Sequence, residues 1–213
     1  IKTGEKVAVC GPSGSGKTSV IMTLLQMTKV KSGSVSIDKR DLASIQPSDI
    51  RLRLNVTPQD PYLMPGTIRL NIDPHTVASD DEILRAVKKV GLWRQIQTNG
   101  GLDGDLKDSK WSMGERQLLA LARALTPRSP ILILDEATSN VDRETESITQ
   151  KVIETEFANK TIIAVTHRLR YITKSDRVAL IKNGELVEFD SPSALLARES
   201  EFAGFFTAFR GSF

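Results

Sequence analysis

The sequence predicts an α/β fold with a mainly parallel sheet, and three observations carry that expectation. A short apolar run, Val7-Ala8-Val9, leads through a glycine-rich turn into the helix-like Ser19-Val20-Ile21-Met22-Thr23-Leu24-Leu25. Ile131-Leu132-Ile133-Leu134 is apolar throughout, as a strand covered on both faces should be. Helix-like and strand-like segments then alternate from Glu144 to Thr173, the pattern of a sheet crossed by helices. At 213 residues the chain fits one large domain, or a core with a small insertion, and is long enough to bury a sizeable interior.

In chain order, Glu5 to Cys10 reads as the first strand and Thr18 to Met27 as the helix after it, with Ile21, Leu24 and Leu25 on one side. Ser32-Gly33-Ser34 breaks the pattern before a short strand at Val35-Ser36-Ile37 and a polar turn at Asp38 to Asp41. Pro47 starts a short helix that runs to about Leu52, and Arg53 to Thr57 is a strand ended by Pro58. From Gln59 to Ser109 no strand is evident. Prolines puncture its first part, Asp80 to Val90 is helical and Leu92 to Ile96 forms a shorter helix, so this stretch is expected to be a helical insertion. Ser112 to Leu125 is a helix stopped by Pro127, followed by the apolar strand at 131–134. Glu144 to Phe157 is helical, Thr161 to Thr166 a strand and Arg168 to Thr173 a short helix. Val178 to Lys182 and Glu185 to Phe189 flank Asn183-Gly184, a strong hairpin signal, and Ser191-Pro192 starts the tail helix.

Composition narrows the function classes. A net charge of +3 from 29 basic and 26 acidic residues, with no block of Lys or Arg, argues against a nucleic-acid partner. The single cysteine, Cys10, excludes an internal disulfide framework and reads as a small buried hydrophobe. No apolar run approaches the roughly 20 residues needed to span a bilayer, so a soluble piece is expected. The chain begins at Ile1 rather than Met, just before a strand, and is expected to be part of a longer polypeptide.

The chemistry is concentrated in two places. Gly11-Pro12-Ser13-Gly14-Ser15-Gly16-Lys17-Thr18, with Ser19 opening the helix, has the spacing G-x-x-x-x-G-K-[ST] between a strand and a helix. Glycines let backbone N–H groups turn inward on phosphates, and the helix N-terminus adds its positive end. Lys17 would reach the β- and γ-phosphates of a nucleoside triphosphate, and Thr18 a Mg²⁺. Asp135-Glu136 closes the buried strand, where Asp135 is placed for the metal and Glu136 is left to activate a water. Ser112-x-x-Glu115 is also a capping box before an apolar helix.

Together with these, Trp111-Ser112-Met113-Gly114-Glu115-Arg116-Gln117 makes the chain resemble the nucleotide-binding domain of an ATP-binding-cassette (ABC) transporter. Ser112 and Gly114 match the family's Leu-Ser-Gly-Gly-Gln signature, from which Trp111, Met113 and Glu115 depart. Gln59 resembles the Q-loop glutamine, Ser139-Asn140-Val141-Asp142 the D-loop and His167 the switch histidine; His75 reads as an ordinary loop residue. Asn71-Ile72-Asp73-Pro74, the helix after the signature and Val187-Glu188-Phe189-Asp190 look most like the second nucleotide-binding domain of the multidrug-resistance-associated C subfamily. The retained Glu136 agrees with that position. The family's adenine-stacking aromatic lies upstream of the phosphate loop, and residues 1–10 hold no Phe, Tyr or Trp.

The resemblance implies a phosphate-loop NTPase (RecA-like) core over 1–58 and 126–190 that ends in the hairpin, a helical subdomain with the signature over 59–125, and a C-terminal helical tail over 191–213. It implies ATP hydrolysis on the cytosolic face of a membrane, coupled to transport, with ATP held between this domain and a second one arranged head to tail. Gln59 would join Thr18 and Asp135 at the Mg²⁺, His167 would steady the γ-phosphate, and Ser112, Gly114 and Asp142 would serve bound nucleotide. Tyr62 and Leu63, after the Q-loop glutamine, would meet the transmembrane domains. Two alternatives stand beside this reading: a soluble cassette ATPase acting on DNA or ribosomes, and a regulatory module that binds ATP without turnover.

Overall fold

The computed structural model describes residues 1–106, 111–126, 129–137 and 141–210. Along the chain, β1 (Lys6–Cys10) enters the glycine-rich turn, which delivers α1 (Lys17–Leu24). A ribbon of β2 (Ser36–Ile37) and β3 (Arg40–Asp41) precedes α2 (Pro47–Arg53), whose proline occupies the first turn where no N–H is needed, and β4 (Leu54–Thr57). Four helices follow: α3 (Ile68–Ile72), α4 (Asp80–Lys89), α5 (Trp93–Thr98) and α6 (Met113–Leu125). Ser79 and Glu82 form a reciprocal cap on α4, and Ser112 and Glu115 do the same on α6. The chain continues through β5 (Ile131–Asp135), α7 (Arg143–Glu156), β6 (Thr161–Val165), α8 (Leu169–Lys174), β7 (Arg177–Lys182), β8 (Glu185–Asp190), α9 (Pro192–Leu196) and α10 (Glu201–Arg210).

These elements gather into two compact units. The first comprises Ile1–Asn55, Ser129–Glu136 and Lys160–Phe213. Its sheet has the strand order β4-β5-β6-β1-β7-β8; β1 runs parallel to both β6 and β7, β5 runs parallel to β6, and β8 runs antiparallel to β7. The register sets Val9 beside Val165 and Asp135 beside Val165, so β1, β5 and β6 end along one edge. On one side, Ala8, Cys10, Val178 and Leu180 are buried with Ile172, Leu195 and Phe202, which come from α8, α9 and α10. The hairpin forms as expected: Asn183 and Gly184 both take positive φ, 52° and 82°, which the two-residue primed turn requires.

The second unit, Val56–Arg128 with Ala137–Asn159, is helical. It is larger than the sequence suggests, because residues 137–159, and with them α7, group with it rather than with the sheet. The physical reason lies in α7's inward face, Thr145, Glu146, Thr149 and Val152, all buried, in a helix that packs on α6. α6 is the hub, with Leu118, Leu119, Ala120, Leu121 and Ala122 all buried and α3, α4 and α7 against it. Sequence reasoning missed α3, a five-residue helix capped by Thr67. Pro127, expected to stop α6, lies outside the described residues.

The first unit is pinned by an ion pair at its edge. Arg177 donates through Nη2 to Glu5 Oε2 at 2.8 Å and through Nε to the other oxygen, while its guanidinium lies 4.0 Å from the centre of the Phe189 ring. The Arg177 hydrogen bonds hold the Glu5 carboxyl down at about 2, against burial. A carboxyl depressed in the folded state stabilises fully above its unfolded value of 4.5 and loses that contribution as pH falls toward 2. Urea midpoints at pH 7 and pH 3 should therefore fall less steeply for Glu5→Gln than for the wild-type chain; equal slopes would show that the pair contributes nothing to acid lability.

Candidate active site

The glycine-rich turn is shaped by close packing. Gly11, at φ 146°, lies against β7: a Cβ there would sit 1.9 Å from Ile181 O. Gly14 and Gly16 take φ 75° and 101°, and Gly16 caps α1 without a side-chain hydrogen bond or an acid in the first turn. That leaves a helix start with its positive end uncompensated by carboxylate. Lys17 is buried, and its Nζ donates to Gly11 O at 2.9 Å and to Pro12 O at 2.8 Å, so two of its three N–H groups brace the loop it belongs to. Pro12, Ser13, Thr18 and Ser19 are exposed, whereas Ser15 is buried and its carbonyl accepts from Gly184 N–H at 3.0 Å. The hairpin tip between β7 and β8 thus supports the loop, a contact that the sequence signal for the turn did not reveal.

Asp135 ends β5 along the same edge, half-buried, and its carboxyl is raised by burial first and by the Glu136 charge second, with Lys17 pulling the other way. Glu136 follows in the left-handed region at φ 47°, a costly conformation for a non-glycine, held by its own N–H donating to Val165 O at 2.9 Å. Its Oε1 meets His167 Nε2. Thr166 N–H donates to Val9 O at 3.2 Å, which sets the segment carrying His167 beside the end of β1. The structure therefore brings together the loop with Lys17 and Thr18, Asp135, Glu136 and His167. Cys10, under the loop, is fully buried with its thiol pushed up to about 12 by desolvation, which bears out its reading as an inert core residue.

The remaining predicted residues lie in the second unit. Gln59 is exposed, and its backbone O accepts from Gln117 Nε2 at 2.8 Å. Ser112 caps α6: its Oγ accepts from Glu115 N–H at 3.2 Å and its N–H donates to Glu115 Oε2 at 2.7 Å. Asp142 caps α7 and has its carboxylate engaged there, accepting from the N–H groups of Glu144 and Thr145 at 2.9 Å each and from Thr145 Oγ1 at 2.7 Å; these bonds lower its carboxyl. Ser139 and Asn140 lie outside the described residues. Tyr62 is 69% exposed beside an open groove of about 310 Å³ that Leu63, Trp111 and Arg116 also line.

Among the described residues no cluster of three or more His, Cys, Asp or Glu could hold a metal alone, and none of the helices is long and apolar enough to cross a membrane. A divalent ion at this edge would have to draw ligands from the phosphates it accompanies. Thr18 and Asp135 supply hard oxygen donors that suit such an ion, and a nearby cation would oppose the upward pull of burial on the Asp135 carboxyl.

The family model described as "ABC transporter" matches residues 1–139. ABC multidrug transporter B of Aspergillus fumigatus is 45% identical over 202 residues, covering 95% of this chain and 14% of that protein. ATP-binding cassette sub-family C member 2 of Rattus norvegicus is 41% identical over 213 residues, covering 95% of this chain and 13% of that protein. The chain thus spans a small part of the length of these relatives. A solved structure of a bacterial Atm1-family ABC exporter with ATP bound superposes with a TM-score of 0.88 at 32% identity, over 96% of this chain and 37% of that one.

The start of α6 approaches α7 closely enough to demand a glycine: a Cβ on Gly114 would lie 2.6 Å from Thr145 Oγ1 and 3.1 Å from Asp142 Oδ2. Overpacking of this kind costs about 1–3 kcal/mol, or roughly 2–10 °C in melting temperature for a chain of this size. Gly114→Ala should show that loss, and adding Thr145→Ala should cost less than the sum of the two single changes. Strict additivity would mean that the two residues are not in contact.

Proposed function

The chain belongs to the ABC transporter family, and from that premise we propose that it is the ATP-hydrolysing domain of a membrane exporter, working head to tail with a second such domain on the cytosolic face. The observation that carries the proposal is the convergence on one sheet edge of a phosphate-type loop with the Glu136–His167 pair. The amides of the loop and of the first turn of α1 take the phosphates, with Lys17 on the β- and γ-groups. Glu136 takes a proton from the attacking water, and His167, in contact with that carboxylate, orients it and steadies the γ-phosphate. Mg²⁺, held by Thr18 and Asp135, would neutralise charge on the phosphate oxygens. Gln59 enters as a further ligand, direct or through water, on the family resemblance alone.

The same resemblance assigns Ser112 and Gly114 to the nucleotide bound by the partner domain. The reciprocal cap supports that role only by fixing the α6 start, since the Glu115 carboxylate in its first turn offsets part of the helix dipole. Asp142 supports the same region by capping α7 beside Gly114. Exposed Tyr62 and its groove are the surface for the transmembrane domains. The intact Glu136 favours the second nucleotide-binding position of a C-subfamily exporter.

Mg-ATP at about 100 times its Kd should stabilise the chain by about 2.7 kcal/mol, a melting shift of roughly 5–10 °C, and Lys17→Ala should remove most of it. An unchanged melting curve in the wild-type chain at millimolar Mg-ATP would overturn the assignment of the loop. In the assembled transporter, Glu136→Gln keeps size and hydrogen bonding but removes the base, so turnover should fall about 10²–10⁴-fold with ATP binding retained. Turnover at the wild-type rate would reduce Glu136 to a helix-start carboxylate.

A further inference from the structure

The hairpin that supports the glycine-rich loop is itself weakly supported by the sheet. The register of β1 with β7 ends at Cys10 opposite Leu180, so Ile181 to Leu186 extend past the parallel strands as a two-stranded overhang. The pairs Leu180–Glu188 and Ile181–Leu186 leave Val187 as the extra residue of a bulge, where the ribbon bends. Glu185, Leu186 and Val187 are exposed, and an isolated pair of strands is marginal in water. Yet this overhang carries two contacts that shape the loop, Ile181 O against Gly11 and Gly184 N–H on Ser15 O.

The first turn of α10 holds it from another side. Lys182 Nζ donates to Glu201 Oε2 at 2.5 Å, and at the bulge Glu188 Oε2 accepts from Phe202 N–H at 2.7 Å. That turn is well anchored. Phe202 is fully buried in one cluster with Cys10 and Leu180, and Ser200 Oγ accepts from Ala203 N–H at 2.9 Å while donating to Leu195 O at 2.8 Å. The Lys182 and Glu201 side chains are half exposed, and pairs of that kind add little stability. Their effect is geometric: they fix the strand end on which the Gly184 turn rides.

We propose that Lys182, Glu188 and Glu201 are positioning residues for nucleotide binding, which hold the β7–β8 overhang on α10 so that Gly184 keeps the loop shaped before a ligand arrives. The inference rests on the proposed function for the identity of that ligand. With the overhang released, the binding-competent loop is only part of the population, and the apparent affinity falls by that fraction.

The test uses the 213-residue chain. Glu201→Ala removes the ion pair, and because it also removes a negative charge, long-range electrostatics alone would tighten the binding of a polyanion. The proposal requires the opposite. Mg-ATP should bind about two- to fivefold more weakly, the scale of one exposed ion pair, and without nucleotide the Gly184 amide should exchange with solvent faster. The melting temperature of the nucleotide-free chain should move by less than about 2 °C, as for other surface substitutions. Exchanging the partners, Lys182→Glu with Glu201→Lys, should restore both affinity and amide protection, whereas Lys182→Glu alone should not. Unchanged affinity in Glu201→Ala, whether or not the Gly184 amide exchanges faster, or an exchanged pair that fails to restore it, overturns the proposal. If the parent chain binds no Mg-ATP, the nucleotide reading falls, and Gly184 exchange in Glu201→Ala alone decides whether α10 holds the overhang.

Discussion

The contact on which the nucleotide edge depends is the approach of the Gly11 backbone to the Ile181 carbonyl on β7. No side chain fits between them, so the turn after β1 has no room to relax outward, and its direction is set by the sheet. Everything else on that edge builds from there. Lys17 folds back onto Gly11 O and Pro12 O, Gly184 N–H takes Ser15 O, and α1 starts from a left-handed Gly16. A loop braced at its base, its middle and its exit has less conformational freedom to lose when a ligand binds.

Electrostatics around this frame work by withholding water from some groups and not from others. Desolvation pushes Cys10 out of reach of thiolate chemistry and raises the Asp135 carboxyl, while the neighbouring Lys17 opposes both shifts. The result is a half-buried carboxyl whose charged form is disfavoured by burial, beside a lysine whose donors are partly committed to backbone.

Much of this was legible in the sequence because it rests on local rules. The phosphate-loop spacing, the all-apolar strand before Asp135, the reciprocal cap at Ser112 and Glu115 and the Asn183-Gly184 turn each have a short-range physical cause, and each appears where it was expected. The relation of Glu136 to His167 came only from family resemblance, since the two are joined by strand register rather than by spacing. What escaped was long-range and carried by backbone acceptors. Nothing in the residue types of Gln117 or Arg123 says that they hold carbonyls 52 to 61 positions away, and a polar residue within an apolar helix gives the one available hint. The grouping of α7 with the helical unit was equally hidden, because its buried face consists of Thr and Glu as much as Val.

The left-handed backbone of Glu136 sets a limit on how this protein can be improved. Glycine or asparagine would occupy φ 47° more comfortably, so selection for heat resistance alone has a downhill path that ends in a sturdier chain without its carboxylate. Glutamate at that position is thus carried against what the backbone alone would prefer, a cost for which the role proposed for its carboxylate would account.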